Sequence, residues 1–218
     1  YRVQYSTPGG TFTAQPERSF VTQRPRGSTY SFVIQADPHL DNNSSSDVYK
    51  LTLANMLADQ PDFLIDLGDT MLTDKLDNQG VPVNGSASPT AQGVLTRTQL
   101  HRSYYDLATH SIPLFLVNGN HEGEWGRGLA QGEKGLAVMD TRLRKKYFPN
   151  PEPNSFYSGS TTDEPMVGLR QANYAFQWGD ALFIALDPYW HQPQAPEMRG
   201  DWSLTLGREQ YEWLRKTL

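Results

Sequence analysis

The chain has 218 residues, 37% of them hydrophobic, a net charge of −5 and no cysteine. No apolar run approaches the roughly eighteen residues that a membrane-spanning helix needs, and no Lys/Arg-rich block offers a surface for nucleic acid. Without cysteine, disulfides, thiolate-bound zinc and cysteine nucleophiles are excluded together. The length suits one good-sized α/β domain, or a domain with a fragment of another.

Residues 1–28 stand apart. Tyr1, Val3 and Tyr5 alternate with polar residues, Pro8-Gly9-Gly10 signals a turn, and Phe12 followed by Ser19-Phe20-Val21-Thr22 suggests a returning strand. The segment 1–30 holds four Arg and one Glu and is locally basic. Gln23 to Ser28 reads as a linker, so the segment is expected to be the tail of an upstream β domain or strands docked on the main one. The chain starts at Tyr1 rather than Met, and the numbering is expected to begin inside a longer or processed product.

The main domain, 29–218, opens with a strand over Tyr30 to Ala36 that ends in Asp37-Pro38-His39. Asp47 is expected to cap a helix running to about Asp59, with Val48, Leu51, Ala54 and Leu57 or Ala58 as its apolar stripe. A second strand, Phe63 to Leu67, ends at Gly68-Asp69, completing a βαβ unit. Residues 73–93 read as a long polar loop or lid. A helix follows over Val94 to Thr109, with Leu95, Leu100, Tyr104 and Leu107 as buried candidates and His101 and His110 at the surface. The third strand, Leu114 to Val117, delivers Asn118-Gly119-Asn120-His121-Glu122.

A Gly-rich loop and a helix over Leu136 to Tyr147 come next, its Arg142, Arg144, Lys145 and Lys146 expected on a solvated face. After an insertion to about Arg170, Asn173 to Trp178 and Ala181 to Leu186 form a hairpin about Gly179-Asp180, ending at Asp187. An amphipathic helix over Leu206 to Leu218 closes the sequence. Strands alternating with helices predict a mostly parallel sheet covered on both faces.

Ligands of open α/β sheets bind beyond the carboxyl ends of the strands. Three such ends carry Asp37 with His39, Asp69, and Asn120 with His121. Asp37 and His39 lie two apart in a segment read as extended, which points both side chains the same way. Gly68 and Gly119 allow tight turns and close approach. Mixed oxygen and nitrogen donors without sulfur suit Mn, Fe, Zn or Ni better than calcium.

Asp37-x-His39, Gly68-Asp69 and Gly119-Asn120-His121-Glu122 resemble the first three motifs of the calcineurin-like metallophosphoesterase superfamily, and the similarity runs along most of 30–218. Asn173 to Asp187 resembles its next strand pair, and Gly207-x-x-Gln210-x-x-Trp213-Leu214 its following helix. Residues 1–28 resemble the end of the fibronectin-type domain of purple-acid-phosphatase-like bacterial phosphohydrolases. The resemblance implies a four-layer α/β/β/α sandwich, of which this chain is the N-terminal portion, C-terminally incomplete. It implies a dinuclear centre of divalent or trivalent ions, with Asp37 and His39 on the first, Asp69 bridging, and Asn120 on the second. His121 then assists catalysis at the leaving oxygen rather than ligating. Glu122 is expected to hydrogen-bond near the site, and His191 to serve as a substitute ligand or a loop or substrate contact. Trp125, Tyr189 and Trp190 are candidates to line a cleft.

Two features depart from the pattern. The superfamily's later lone His and Gly-His-x-His motif is absent. Leu72 stands where purple acid phosphatases place a tyrosine ligand and protein phosphatases a histidine-orienting aspartate. The carboxylate partner of His121 is therefore open among Asp66, Asp74 and Asp187. The expected function is metal-dependent hydrolysis of small phosphoric esters, mono- or diester, in a secreted or periplasmic setting. The alternative is a non-catalytic binding or scaffolding module with an incomplete metal site.

Overall fold

The computed structural model describes residues 1–83, 88–193 and 199–218. The chain is mixed α/β with three small sheets. Strands β3 (Phe32–Gln35), β4 (Phe63–Asp66) and β5 (Leu114–Leu116) form a parallel sheet in that order, and β6 (Ser158–Gly159), β7 (Tyr174–Trp178) and β8 (Ala181–Ala185) an antiparallel one. The mostly parallel sheet expected from the sequence is the first one, and the hairpin expected about Gly179-Asp180 lies in the second, antiparallel one.

Period-two alternation explains how the layers stack. On β4 and β5, Phe63 and Phe115 face the second sheet, where Tyr174, Phe176, Trp178 and Ala185 meet them. Phe115 and Phe176 stack with centroids 4.0 Å apart, and Phe63 meets Trp178 at 4.9 Å. The intervening Leu64 and Leu116 face the helices instead. They pack with Tyr49, Leu53 and Met56 of α1 (Ser46–Ala58) and Tyr105 and Ala108 of α2 (Ala91–Thr109). One face of the parallel sheet is thus covered by helices and the other by a second sheet.

The helix stripes sit differently from the expected ones. Ser45, not Asp47, caps α1, its hydroxyl accepting from the Val48 N–H at 3.3 Å. Tyr49, Leu53 and Met56 are buried there, whereas Val48 and Leu51 are more than half exposed. Polar groups move the stripe: the Tyr49 hydroxyl accepts from Gln35 at 3.0 Å, which turns that face inward. On α2 the buried face is Val94, Arg97, Thr98, His101, Tyr105 and Ala108, and Leu107 is exposed. His101 is fully buried, contrary to the surface position expected of it. Burial holds its imidazole neutral, well below its usual pKa, and its Nε2 accepts from Arg97 at 3.0 Å.

The third helix, α3 (Leu136–Tyr147), follows 3-10 turns over Gly126–Lys134. Its basic cluster divides by helical position. Arg142 is exposed toward Glu133, but Arg144 is buried and bonds both oxygens of buried Glu124. Arg170 joins this group, pairing with Glu124 and Asp187. Although burial pushes its pKa up, Arg144 and Arg170 hold the Glu124 carboxyl below the usual range. The last helix, α4 (Arg208–Thr217), is clipped to the end of β8 by Gln210, which accepts from the Asp187 N–H and donates to its carbonyl, both at 2.8 Å.

At the N-terminus, β1 (Gln4–Tyr5) pairs with β2 (Thr13–Ala14), so the returning strand comes earlier than Ser19–Thr22. Residues 23–28 are tied down rather than free. Gly27 donates to Asp180 Oδ2 at 2.9 Å, Gly179 to the Arg24 carbonyl at 3.1 Å, and Arg24 to Asp62 at 2.5 Å. The first part of the expected lid is also packed, with Thr73 and Leu76 buried. Residues 84–87 of that lid lie outside the described residues.

Breaking a buried ion pair from one side strands a charge. Arg144→Met is expected to destabilise the fold by about 3–5 kcal/mol in denaturant titration; a loss under ~1 kcal/mol would mean that Glu124 does not depend on it.

Candidate metal centre

Three turns leave the carboxyl ends of β3, β4 and β5 side by side. The turn after β4 begins with Asp66, whose carboxylate faces the helices rather than the site. It accepts from Gln35 at 2.5 Å, from the Tyr105 hydroxyl, from the Gly68 N–H at 2.8 Å and from the Thr70 hydroxyl at 2.7 Å. Asp66 thereby fixes the turn that presents Asp69.

Gly68 and Gly119 hold the turns after β4 and β5 in backbone contact. Gly68 has φ 93°, and a Cβ on it would lie 2.1 Å from the Gly119 nitrogen. A Cβ on Gly119 would lie 2.3 Å from Asp69 Oδ1. No side chain fits at either position. Buried Glu122 bridges the same two turns: its carboxylate accepts from the backbone N–H groups of Gly119 at 2.5 Å, Asp69 at 2.9 Å, Thr70 at 2.6 Å and Met71 at 3.1 Å. Burial pushes its pKa up to about 7 against the pull of these donors. Glu122 supports the site without entering it.

The turn after β3 is anchored by Arg97. Its guanidinium donates to the carbonyls of His39 and Leu40 on one side and of Met71 and Asp77 on the other, at 2.8–3.3 Å where the spacing is ordinary. Burial pushes Arg97 down to about 10. Asp37 and His39 are not extended, as the sequence suggested, but left-handed, with φ 53° and 52°. Asp69 is left-handed too, at φ 53°. Such backbone costs roughly 1–3 kcal/mol per residue and is held only where neighbours enforce it, as Arg97 and Glu122 do here.

The result is convergence. One donor atom each from Asp37, His39 and Asp69 lies within 4.8 Å of the others. His39 Nε2 stands 3.5 Å from Asp37 Oδ1 and is buried with no hydrogen-bond partner. A buried imidazole nitrogen without a partner, facing two carboxylates, fits a metal ion of the borderline class. Asn120 is exposed on the adjoining turn, between Gly119, which abuts Asp69, and His121, whose N–H donates to Asp69 Oδ1 at 2.9 Å.

His121 has an orienting carboxylate, and it is Asp74. Nδ1 lies 2.8 and 3.0 Å from the two Asp74 oxygens. Burial raises the pKa of Asp74, and His121 draws it back. Of the other candidates, Asp66 is consumed by its own turn, and Asp187 pairs with Arg170 and accepts from the Tyr189 N–H at 3.0 Å. Lys75 Nζ lies 3.0 Å from His121 Nε2. The two rings His39 and His121 are 6.1 Å apart and perpendicular.

His191 lies apart from the three-donor cluster, its ring packed onto Gly207, where a Cβ would come within 2.1 Å of it. Trp190 is a core residue packed with Ala137, Val138 and Val167, and Arg170 stacks on it at 3.9 Å. Arg97 and Lys75 went unnoticed in the sequence. Arg97 was detectable in principle, since it shares one helical face with Val94, His101 and Tyr105. Lys75 carries no such signal.

No protein-family model matches this chain, and no curated protein matches it. Gly119→Ala is expected to displace Asp69 and cut Mn²⁺ affinity about 10–100-fold, as loss of outer-shell support does, measured by isothermal titration; affinity equal to wild type would show that the glycine contact does not position the ligand.

Proposed function

We propose that the protein is a metal-dependent hydrolase of phosphoric esters of the calcineurin-like metallophosphoesterase type, built on that superfamily's α/β/β/α sandwich. The observation that carries the reading is the convergence of Asp37, His39 and Asp69 on one point beyond the parallel strands, with the His121–Asp74 pair beside it. Asp37 and His39 would hold one ion, Asp69 would be shared, and the Asn120 amide oxygen would serve a second. When bound, the ions supply Lewis-acid charge to the phosphoryl oxygens and lower the pKa of the attacking water.

The chain's own residues do the rest. Asp74 accepts from His121 Nδ1–H and so keeps Nε2 turned toward the substrate. In the free protein Lys75 donates to that Nε2. A bound ester offers the Lys75 ammonium a phosphoryl oxygen instead, and the freed Nε2 takes a proton from solvent and faces the leaving oxygen. Water attacks phosphorus in line and loses a proton to solvent, the ester P–O bond breaks, and His121 gives its Nε2 proton to the departing alkoxide. In this scheme water is the nucleophile and no phosphoenzyme forms.

The test uses p-nitrophenyl phosphate and its bis-ester with Mn²⁺. Asp69→Asn is expected to lose both ions. His121→Ala is expected to keep them and lose turnover, and Asp74→Asn to lower kcat within the ~10²–10⁴-fold range of general acid catalysis with metal content unchanged. Metal loss in the His121 variant would overturn its role, and a metal-loaded protein inactive on both esters would overturn the hydrolase reading.

A further inference from the structure

A cleft of about 430 Å³ opens against Asp74, on the side of the His121–Asp74 pair formed by the loop that follows Glu122. Its wall carries Trp125, Arg127, Gln131 and Lys134. The Arg127 guanidinium lies 4.0 Å over the Trp125 ring. That stacking fixes a floppy side chain in one plane with its N–H donors spread around the rim of the indole. Among the described residues Arg127 and Lys134 make no ion pair, in contrast to the buried arginines Arg144 and Arg170.

The loop that holds this wall is rigidly seated. Gly126 donates to the Tyr189 carbonyl at 3.3 Å, and a Cβ on Gly126 would overlap the Trp190 carbonyl at 1.8 Å. Gly126 is thus held against the segment that follows β8. Two cations with no ion pair among the described residues and an aromatic face thus line one cleft, which shares Asp74 with the histidine.

We propose that this cleft receives the alcohol half of the ester, and that the preferred alcohol is flat and carries an anionic group of its own. The inference rests on the hydrolase reading above. The leaving oxygen is met at Nε2 and the cleft borders Asp74 on the Nδ1 side of the same ring, so the alcohol proposed here runs along the edge of the imidazole to reach it. An anionic group on the alcohol would lie in the cleft away from the Asp74 carboxylate. Arg127 and Lys134 supply the place for one, with charge-assisted hydrogen bonds to a carboxylate or a second phosphate. The Trp125 indole gives the flat body of the alcohol an apolar wall.

The matched probes are phenyl phosphate and 4-carboxyphenyl phosphate, which differ in one carboxylate, with phosphate release as the readout. The Mn²⁺-loaded protein is expected to show a KM about tenfold lower for the carboxylated ester, the size of one good charge-assisted contact. In Arg127→Ala and Lys134→Ala, both changes at exposed side chains, the ratio of the two KM values is expected to fall toward one. Binding of 4-hydroxybenzoate, the alcohol released, needs no turnover. It is expected to quench tryptophan fluorescence in the wild type and not in Trp125→Phe. Equal KM values for the two esters, or 4-hydroxybenzoate quenching that survives Trp125→Phe and Arg127→Ala, overturns the cleft assignment. Failure to release phosphate from either ester, with 4-hydroxybenzoate still bound, overturns the hydrolase reading instead.

Discussion

The carboxylate of Glu122 is the joint on which the candidate centre depends. Its two oxygens accept four backbone N–H groups, one from the turn after β5 and three from the turn after β4. Those turns present Asn120 with His121 and Asp69, respectively. A buried carboxylate costs several kcal/mol to desolvate, and hydrogen bonds to a charged group return about 1.5–3 kcal/mol each. The rise of the Glu122 pKa to about 7 indicates that burial still outweighs the donors. An apolar residue here would leave those four N–H groups without an acceptor, and Glu122 imposes register between two loops by taking them all.

Other buried polar groups extend the same logic outward. Arg97 joins the turn after β3 to the segment after β4 by donating to carbonyls on both. Glu124, two residues beyond Glu122, is held by Arg144 and Arg170, and Arg170 reaches Asp187 at the end of β8. Each turn is thus locked to a helix or strand by a charged side chain. The left-handed backbone at Asp37, His39 and Asp69 is tolerated because these clamps surround it.

Much of the fold was legible. Short continuous apolar runs at Phe63–Asp66 and Leu114–Leu116, and Gly179-Asp180 between two apolar runs, report local rules of strand and turn, and those elements stand where the sequence puts them. The three turns that carry Asp37, His39, Asp69, Asn120 and His121 were identifiable because each follows an apolar strand directly. What was not legible is cross-chain. Nothing local distinguishes Asp74 from Asp66 or Asp187 as the partner of His121, since the choice is made by which carboxylates other elements have already used. The inward turns of Arg97 and Arg144 were hidden for the same reason: their residue types favour solvent, and only the carbonyls and carboxylates brought by distant segments overturn that preference. The stripe on α1 was misplaced because Tyr49 is drawn inward by Gln35, a contact between a helix and a strand.

The proposed dinuclear centre would draw on Asp37, His39, Asp69 and Asn120. Anomalous diffraction at the manganese edge, from crystals grown with Mn²⁺, locates any ion held there. A peak is expected within bonding distance of Asp37 and His39, with a second that shares Asp69 with it and touches the Asn120 amide oxygen. Manganese-loaded crystals with no anomalous peak among these four side chains would contradict it.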